Sequence, residues 1–415
     1  MKQISIVILI LVAATSVRSQ NNASPYSIVG IGDIEKGHFD RTTGMGYAGV
    51  ALSSERSLFN INPASYSALQ NQFFNAETSI RYKGISYSGN AITSGTNSYS
   101  SDLVSKKIVF AIKVKPRLGL SFGLLPYSTS NYSFAAKKSL QGTSLTTDAA
   151  YQGSGSLNQA YLAGGYRLAK GLSLGIQAGY LFGQQQQEET IASGLGNGSL
   201  YTKKNVYINN AVFTGGIQYN YEVNKKLNIA LGATASNKTT LDASYSLLVQ
   251  DGTQTIENID HYKSGYFTLP MTFTTGIAAI YKNKYTFAVD YNHQDWNSTH
   301  YAGSSYTLVN SDRVSAGFEY SKKFTYLDHQ YERSFFQVGV FYSNSYLKMY
   351  GQQLKDYGAT IGAGFHSMRS GLGLQGALEF GTRGTTTHSL IKENYTQFTL
   401  TLLYRDFWFG KRKYD

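Results

Sequence analysis

Long stretches in which apolar and polar residues alternate strictly are the feature that most restricts the fold of this chain. In residues 172–180, LSLGIQAGY, every second position is apolar, and the positions between them carry serine, glycine or glutamine. The same alternation recurs at residues 372–380 and 397–405. It predicts β-strands with one apolar and one polar face, because successive side chains of a strand point to opposite sides.

These segments often exceed about ten residues, whereas a strand of a soluble protein usually has about five or six. Small and polar residues on one face of long strands suit a membrane barrel, in which the apolar face meets lipid and the other faces a wet lumen. A soluble β-sandwich or propeller also alternates but fits these lengths poorly. Aromatic residues near the segment ends are typical of a girdle at the membrane surface, namely Tyr166, Tyr180, Phe182, Tyr219, Tyr221 and Tyr291.

The sequence therefore predicts an all-β fold, an antiparallel transmembrane β-barrel of about fourteen strands over residues 72–410. Short connections alternate with long polar ones at 131–154, 185–206, 241–263, 296–310 and 383–392, as periplasmic turns alternate with outer loops. An even strand count places both termini in the periplasm. The predicted strands are 73–89, 106–115, 117–130, 157–168, 171–184, 207–222, 226–240, 264–280, 284–295, 311–321, 334–344, 355–366, 371–382 and 393–409.

Residues 1–19 read as a signal peptide, with Lys2, an apolar run and small residues before the cleavage point. The chain has no cysteine, which excludes a lipid anchor at a mature cysteine and any disulfide. The formal charge is +12, and the basic residues lie mostly at predicted turns and strand ends, such as Lys106–Lys107 and Lys225–Lys226. This spread favours anionic lipid head groups and lipopolysaccharide over nucleic acid as partners. Residues 411–415 form a basic tail.

Residues 20–71 do not alternate, and their glycine-rich part reads RTTGMGYAGVALSSERSLFNINPASYSAL from residue 41. A barrel of this size has a lumen too wide for its own side chains to fill. We therefore predict that residues 20–71 form a hatch, or plug, inside the lumen. Its tight turns would use Gly44, Gly46 and Gly49, its contacts with the wall Asn60 and Asn62, and a fixed local turn Pro63.

The sequence here resembles the FadL-type outer-membrane transporters, whose fourteen-stranded barrel has an N-terminal hatch with an Asn-Pro-Ala motif. The motifs that carry the resemblance are GMGYAGVA, the Asn62-Pro63-Ala64 of NINPA, the proline-containing GLSFGLLPYS of residues 119–128, and residues 269–296. The arrangement covers the whole mature chain, and the motifs about a quarter of it. The aromatic, basic ending resembles outer-membrane barrels of the Bacteroidota.

The resemblance implies passive uptake of a hydrophobic or amphipathic small molecule, with release through the wall at a distorted third strand. Pro126 and Leu125 would mark that opening, although Pro126 also fits a simple position at the membrane rim. Leu58 and Phe59 would line the ligand path. The polar loops depart from the fatty-acid members of the family. They agree with an alternative, a PorV-like barrel subunit of a secretion or assembly complex that binds other outer-membrane proteins and whose hatch is a permanent plug.

Four charged residues face the lumen by parity: Asp290, Glu379, Arg383 and Arg405. They either bind the hatch or a ligand or are simply solvated, because charge on the lipid face is costly. The seven histidines lack the spacing of a metal site, and no nucleophile motif accompanies them. The sequence therefore predicts no enzymatic activity, no metal and no cofactor.

Overall fold

The computed structural model describes residues 24–89, 98–139, 146–192, 198–303, 305–326, 329–367 and 371–407. The predicted signal peptide and basic tail lie outside these residues. The chain forms a closed antiparallel barrel of fourteen strands, so the predicted fold class is confirmed. The barrel closes where the first wall strand pairs with the last, from Phe73 opposite Phe407 to Ser88 opposite Lys392.

Regular structure consists of strands and five short 3₁₀-helices. The strands are β1 (Asp33–Ile34), β2 (Phe73–Ser88), β3 (Tyr99–Lys115), β4 (Leu118–Thr129), β5 (Tyr132–Ser139), β6 (Thr146–Ala169), β7 (Leu172–Ala192), β8 (Ser199–Asn224), β9 (Leu227–Ser236), β10 (Thr239–Asp251), β11 (Gln254–Leu269), β12 (Thr272–Tyr281), β13 (Tyr285–Gln294), β14 (Tyr306–Leu308), β15 (Ser311–Tyr326), β16 (His329–Met349), β17 (Gln352–His366), β18 (Leu372–Arg383) and β19 (Lys392–Phe407). The 3₁₀-helices are Pro25–Ile28, Arg41–Met45, Pro63–Ala68, Trp296–Thr299 and Thr387–Ser389. No helix among the described residues is long and apolar enough to cross a membrane.

Three wall strands consist of two segments each: β4 with β5, β9 with β10, and β11 with β12. The break between β11 and β12 falls at Pro270 and Met271. Proline has no N–H for the ladder, so a strand is readily interrupted there. Counted in this way, and with the two-residue β1 and the three-residue β14 set aside, the described strands reproduce the fourteen predicted wall strands in number and order.

The outer face of the barrel is an apolar band. On β7 the side chains of Leu174, Ile176 and Tyr180 point outward and are exposed, and Ile176 retains 65% of its accessible surface. The residues between them point inward, and Ser173 and Gln177 are buried. This is the lipid-facing and lumen-facing division that the alternation predicts.

Several strands are longer than the alternation predicts. β6, β7 and β8 have 24, 21 and 26 residues, and they take up most of the polar segments predicted as loops at 131–154 and 185–206. β10 and β11 similarly fill 241–263. The outward residues of the β7 extension are polar, as in Gln184, Gln186 and Glu188, because no lipid lies beside them. The backbone hydrogen bonds between these strands continue beyond the point at which the alternation of apolar and polar residues ends. The upper parts of β5–β8, β10 and β11 are called the collar below.

The first described residue lies at the long-loop end of the barrel. The Ser24 N–H donates to the carbonyl of Asn131 at 3.0 Å, and its hydroxyl donates to Glu393 at 2.6 Å. The chain then runs to residue 72 at the short-turn end, where β2 begins. Residues 24–72, called the N-terminal segment below, therefore pass along the whole length of the wall.

Introducing a charged side chain on the outer face of β7 tests where the apolar band lies. Ile176→Arg is expected to lower the free energy of unfolding in lipid vesicles by about 2–4 kcal/mol, since it buries a guanidinium in hydrocarbon. Thr190→Arg, on the same face of β7 but in the collar, is expected to leave stability unchanged. Urea unfolding of the two variants measures the difference, and equal losses would contradict the assignment of the band.

Candidate functional site: contact of the N-terminal segment with the wall

Two capped 3₁₀-helices set the shape of the N-terminal segment. Asp40 caps the helix Arg41–Met45 by accepting from the Thr42 N–H at 2.9 Å, and the helix ends at Gly46, whose φ of 64° favours glycine. Asn62 caps the helix Pro63–Ala68 by accepting from the Ala64 N–H at 3.0 Å. Proline suits the first helical position, because its missing N–H would have no helical partner there. The Asn-Pro-Ala motif is thus a helix start.

The two asparagines also bind other parts of the segment and the wall. The Asn62 amide donates to the carbonyls of Val50 and Ile217 at 2.9 and 3.1 Å. The Asn60 amide donates to the hydroxyl of Tyr161 on β6 at 2.8 Å. Both side chains are buried, and their bonds satisfy polar groups that would otherwise be costly to bury.

A row of inward-facing wall glycines lies directly against the segment, and most of them meet its backbone. A Cβ on Gly165 would lie 2.5 Å from the Pro63 carbonyl oxygen, and one on Gly317 would lie 2.5 Å from that of Met45. On the segment side, a Cβ on Gly44 would lie 2.8 Å from the Cα of Gly362. We call these wall residues the glycine belt: Gly119, Gly165, Gly175, Gly216, Gly232, Gly276, Gly317, Gly339 and Gly362.

The glycine belt follows the register of the barrel. Gly119 pairs with Gly165, Gly165 with Gly175, and Gly175 with Gly216, each on the next strand. In the alternating pattern of the sequence, these glycines stand out only as members of the face that carries small and polar residues. The signal that could have found them is their recurrence at inward positions of matching height.

A buried ion-pair group fixes Arg41. Its guanidinium lies 2.6 Å from Glu319 on β15 and 2.7 Å from Glu332 on β16, and Arg41 is only 6% exposed. Gln337 donates to the Arg41 carbonyl at 3.0 Å. A charge buried this deeply is tolerated only when it is paired and hydrogen-bonded. This group could not be recognised from the sequence alone, because its members lie far apart in the chain.

The structure brings all four predicted luminal charges to the N-terminal segment. Asp290 accepts from the N–H groups of Gly49 and Val50 at 2.7 and 2.8 Å. The other three are also bonded to the segment: Glu379 to Tyr47, Arg383 to Asp33 at 2.7 Å, and Arg405 to Gln70.

The wall ladder is interrupted between β3 and β4. These strands pair only from Lys115 opposite Leu118 to Ile108 opposite Leu124. Beyond that point β4 pairs instead with β1 of the segment, where Asp33 and Ile34 lie opposite Thr129 and Ser128. Pro126 lies in this part of β4 and remains paired with Asn158 of β6. Its missing N–H disturbs no β3–β4 bond, because the described part of β3 has no pairing there.

A β-bulge in β3 places a lysine–glutamate ion pair across this interruption. The register shifts between Ser79 and Ile80 of β2, so Lys106 is an extra residue and both Lys106 and Lys107 are buried. Lys106 lies 2.5 Å from Glu35, which follows β1. Lys107 lies 2.5 Å from Glu77. The expectation that this lysine pair lies at an exposed strand end is therefore wrong, because the bulge turns both side chains inward.

A cavity of about 260 Å³ remains between the segment and the wall. Its lining is mixed: hydroxyl, amide and charged side chains, including Gln159, Gln177 and Thr234, alternate with apolar surface that includes Leu125 and Pro126. The two other predicted path residues pack elsewhere: Leu58 contacts the core around Tyr66, and Phe59 a core around Met45. The cavity is thus more polar than an apolar tunnel. Among the described residues, no cluster of histidine and acidic residues could hold a metal ion.

The sequence matches the model of the BamG family over residues 1–415. The chain belongs to the BamG family. No curated protein matches its sequence. This BamG-family chain is similar in fold to a Pseudomonas aeruginosa FadL homologue, with a TM-score of 0.59 and 12% identity over 89% of this chain and 98% of that one.

Two toluene transporters have similar folds. The Pseudomonas putida protein TodX gives a TM-score of 0.56 at 14% identity, covering 91% of this chain and 99% of TodX. The Ralstonia pickettii protein TbuX gives a TM-score of 0.51 at 13% identity, covering 89% of this chain and 97% of TbuX. These similarities establish a FadL-type outer-membrane barrel fold. Both are transport proteins rather than enzymes, in agreement with a sequence that has no catalytic motif.

Two adjacent glycines of β8 test the glycine belt. Gly216→Val is expected to destabilise the protein by roughly 1–3 kcal/mol, because a side chain there meets Asn62 and Pro63. Gly215→Val is the matched control, since a Cβ there meets no atom within 4 Å. Urea unfolding and protease cleavage within residues 24–72 measure the effect. Identical behaviour of the two variants would contradict the close packing.

The Glu35 contact predicts a dependence on acid. Burial alone would raise the pKa of Glu35, but Lys106 and Arg81 outweigh it and lower this pKa to about 2, below its ordinary value of 4.5. A lowered folded-state pKa stabilises the protein above about pH 4.5, and this contribution disappears as the pH falls towards 2. The difference in urea midpoint between the wild type and Glu35→Gln should therefore shrink over that range. A constant difference from pH 6 to pH 2.5 would argue against the pairing.

Proposed function

We propose that the N-terminal segment is a fixed plug and that the chain acts as a non-transporting barrel subunit of an outer-membrane secretion or assembly complex. The observation that carries this proposal is the glycine belt, which lets the plug backbone lie directly on the wall along matching heights of many strands. At the height of the glycine belt, contact of this kind leaves no layer of side chains or water along which a ligand could pass.

The charges of the plug support a stationary role. Removing the plug would take Arg41 away from Glu319 and Glu332, and Glu35 away from Lys106, and would leave these wall groups without those partners. Breaking one buried pair in this way costs roughly 3–5 kcal/mol. Several such pairs would have to break together, so a plug that opens in each transport cycle would need a large driving force.

The collar supplies a surface on which a complex could assemble. β11 pairs with β10 along its length, whereas β13, which pairs with β12, ends at Gln294. The upper part of β11 therefore rises above its neighbour on that side, and residues 254–258 are exposed. An edge that offers backbone N–H and carbonyl groups can add a strand from another protein.

A second candidate function is the uptake of a hydrophobic or amphipathic compound with release near β4. The observation that favours it is the interruption of β3–β4 pairing above Ile108 and Leu124, together with a fold similar to that of toluene transporters. Against it stand the many charged and amide groups in the cavity lining and the ion pair between Lys106 and Glu35 that crosses the interruption.

A disulfide lock separates the two functions. The hydroxyls of Ser67 in the plug and Ser173 on β7 lie 2.7 Å apart, and the native chain contains no cysteine. A Ser67→Cys/Ser173→Cys variant should therefore form one defined disulfide under oxidising conditions. If the plug is permanent, the oxidised variant complements a deletion strain as well as the wild type. Loss of complementation that a reductant restores would overturn the proposal.

Purification provides the positive test. We expect the protein extracted from native membranes in mild detergent to co-purify with other outer-membrane proteins in a fixed ratio, measured by native mass spectrometry. In the complementation assay described above, the single Ser67→Cys variant, which cannot form the plug–wall disulfide, serves as the control for the double variant. A monomer that carries a bound hydrophobic molecule would favour the uptake channel instead.

A further inference from the structure

Two neighbouring short turns bring four lysines together at one edge of the barrel. Lys225 and Lys226 form the turn between β8 and β9, and Lys282 and Lys284 flank the turn between β12 and β13. The turns are adjacent because β9 pairs with β12, and the Lys282 N–H donates to the Lys226 carbonyl at 2.5 Å. We call this group the lysine cluster.

The lysine cluster is exposed and has no counter-charge among the described residues. All four side chains are exposed, and none forms an ion pair within the part of the chain that the structure describes. The nearest acid in the sequence is Glu222, whose position in the alternation of β8 is on the lumen side, whereas Tyr219 and Tyr221 lie on the lipid side. Four positive charges on two adjacent turns repel one another, which favours an anion among them.

Aromatic residues place the cluster at the membrane surface. Tyr221, Tyr281 and Tyr285 lie beside the two turns and are 56%, 44% and 42% exposed on the outer face. The Lys282 ammonium lies 5.2 Å from the centre of the Tyr281 ring. Tyrosines in this position occupy the interface between hydrocarbon and head groups, and lysines just beyond them reach the head-group level.

We propose that the lysine cluster is a binding site for the head group of an anionic phospholipid in the leaflet at the short-turn end. The lysine ammonium groups bind the phosphate, and the acyl chains lie along the tyrosines and the apolar face of β9 and β12. A lipid fits better than an acidic protein, because the surface below the charges is apolar and belongs to the lipid-facing band. Short flexible stems let several ammonium groups converge on one phosphate.

Native mass spectrometry of the full chain in detergent tests this site. The wild type, offered equal amounts of phosphatidylglycerol and phosphatidylcholine, is expected to retain phosphatidylglycerol at least about tenfold more often, as expected for several lysines near one phosphate. The variant with all four lysines of the cluster changed to glutamine is expected to lose this preference. Heat-dependent mobility on a gel confirms that each variant is folded.

A matched control removes the same charge from the other end of the barrel. It changes Lys137, Lys238, Lys263 and Lys355, which are exposed at the long-loop end, to glutamine. This control is expected to keep the preference for phosphatidylglycerol. An equal loss in both variants would mean that net charge alone matters and would overturn the site, as would an unchanged preference in the cluster variant. Stronger retention of lipid A than of phosphatidylglycerol by the cluster would also overturn it, because lipid A lies in the opposite leaflet.

Discussion

Direct backbone contact between the N-terminal segment and the inner wall is the interaction on which the rest of this structure depends. A lumen of this width can be filled in two ways, by long side chains of the wall or by a second layer of chain. The glycine belt leaves room for the second. Once the segment lies that close, the remaining wall residues must satisfy its polar groups, and Gln218, Asp290, Thr360 and Gln375 accordingly bond to its backbone.

Features that repeat along the chain could be predicted from the sequence. Alternation repeats on each wall strand, so the fold class, the number of strands and the inward direction of Asp290 and Glu379 followed from it. The ends of the strands could not be found in the same way. The collar of β6–β8 continues by main-chain pairing alone, and its outward residues, such as Gln186, do not differ from those of a polar loop.

The contacts of the site depend on pairings between distant residues, which a single sequence does not reveal. Gly44 and Asn62 could be recognised as special, but their partners Gly362 and Ile217 could not. The sequence at Lys106 and Lys107 predicted exposure, whereas both side chains are buried, because two adjacent lysines ordinarily indicate a solvated turn. The bulge that buries them cannot be recognised from residue types. Leu58 and Phe59 were recognised as apolar, yet apolarity does not distinguish a packed core from a ligand path.

The course of the N-terminal segment has a consequence for the order of folding. Arg41 is exported early, but its partner Glu319 follows 278 positions later, and the contact of Ser24 with Glu393 spans 369 positions. Glu35 can pair early with Arg81 and Lys106, but Arg41 has no partner until β15 and β16 have been synthesised. Since Glu393 lies on β19, which closes the barrel on β2, the last contacts of the segment form only together with barrel closure. A truncated chain would consequently expose unpaired charge instead of forming a smaller pore.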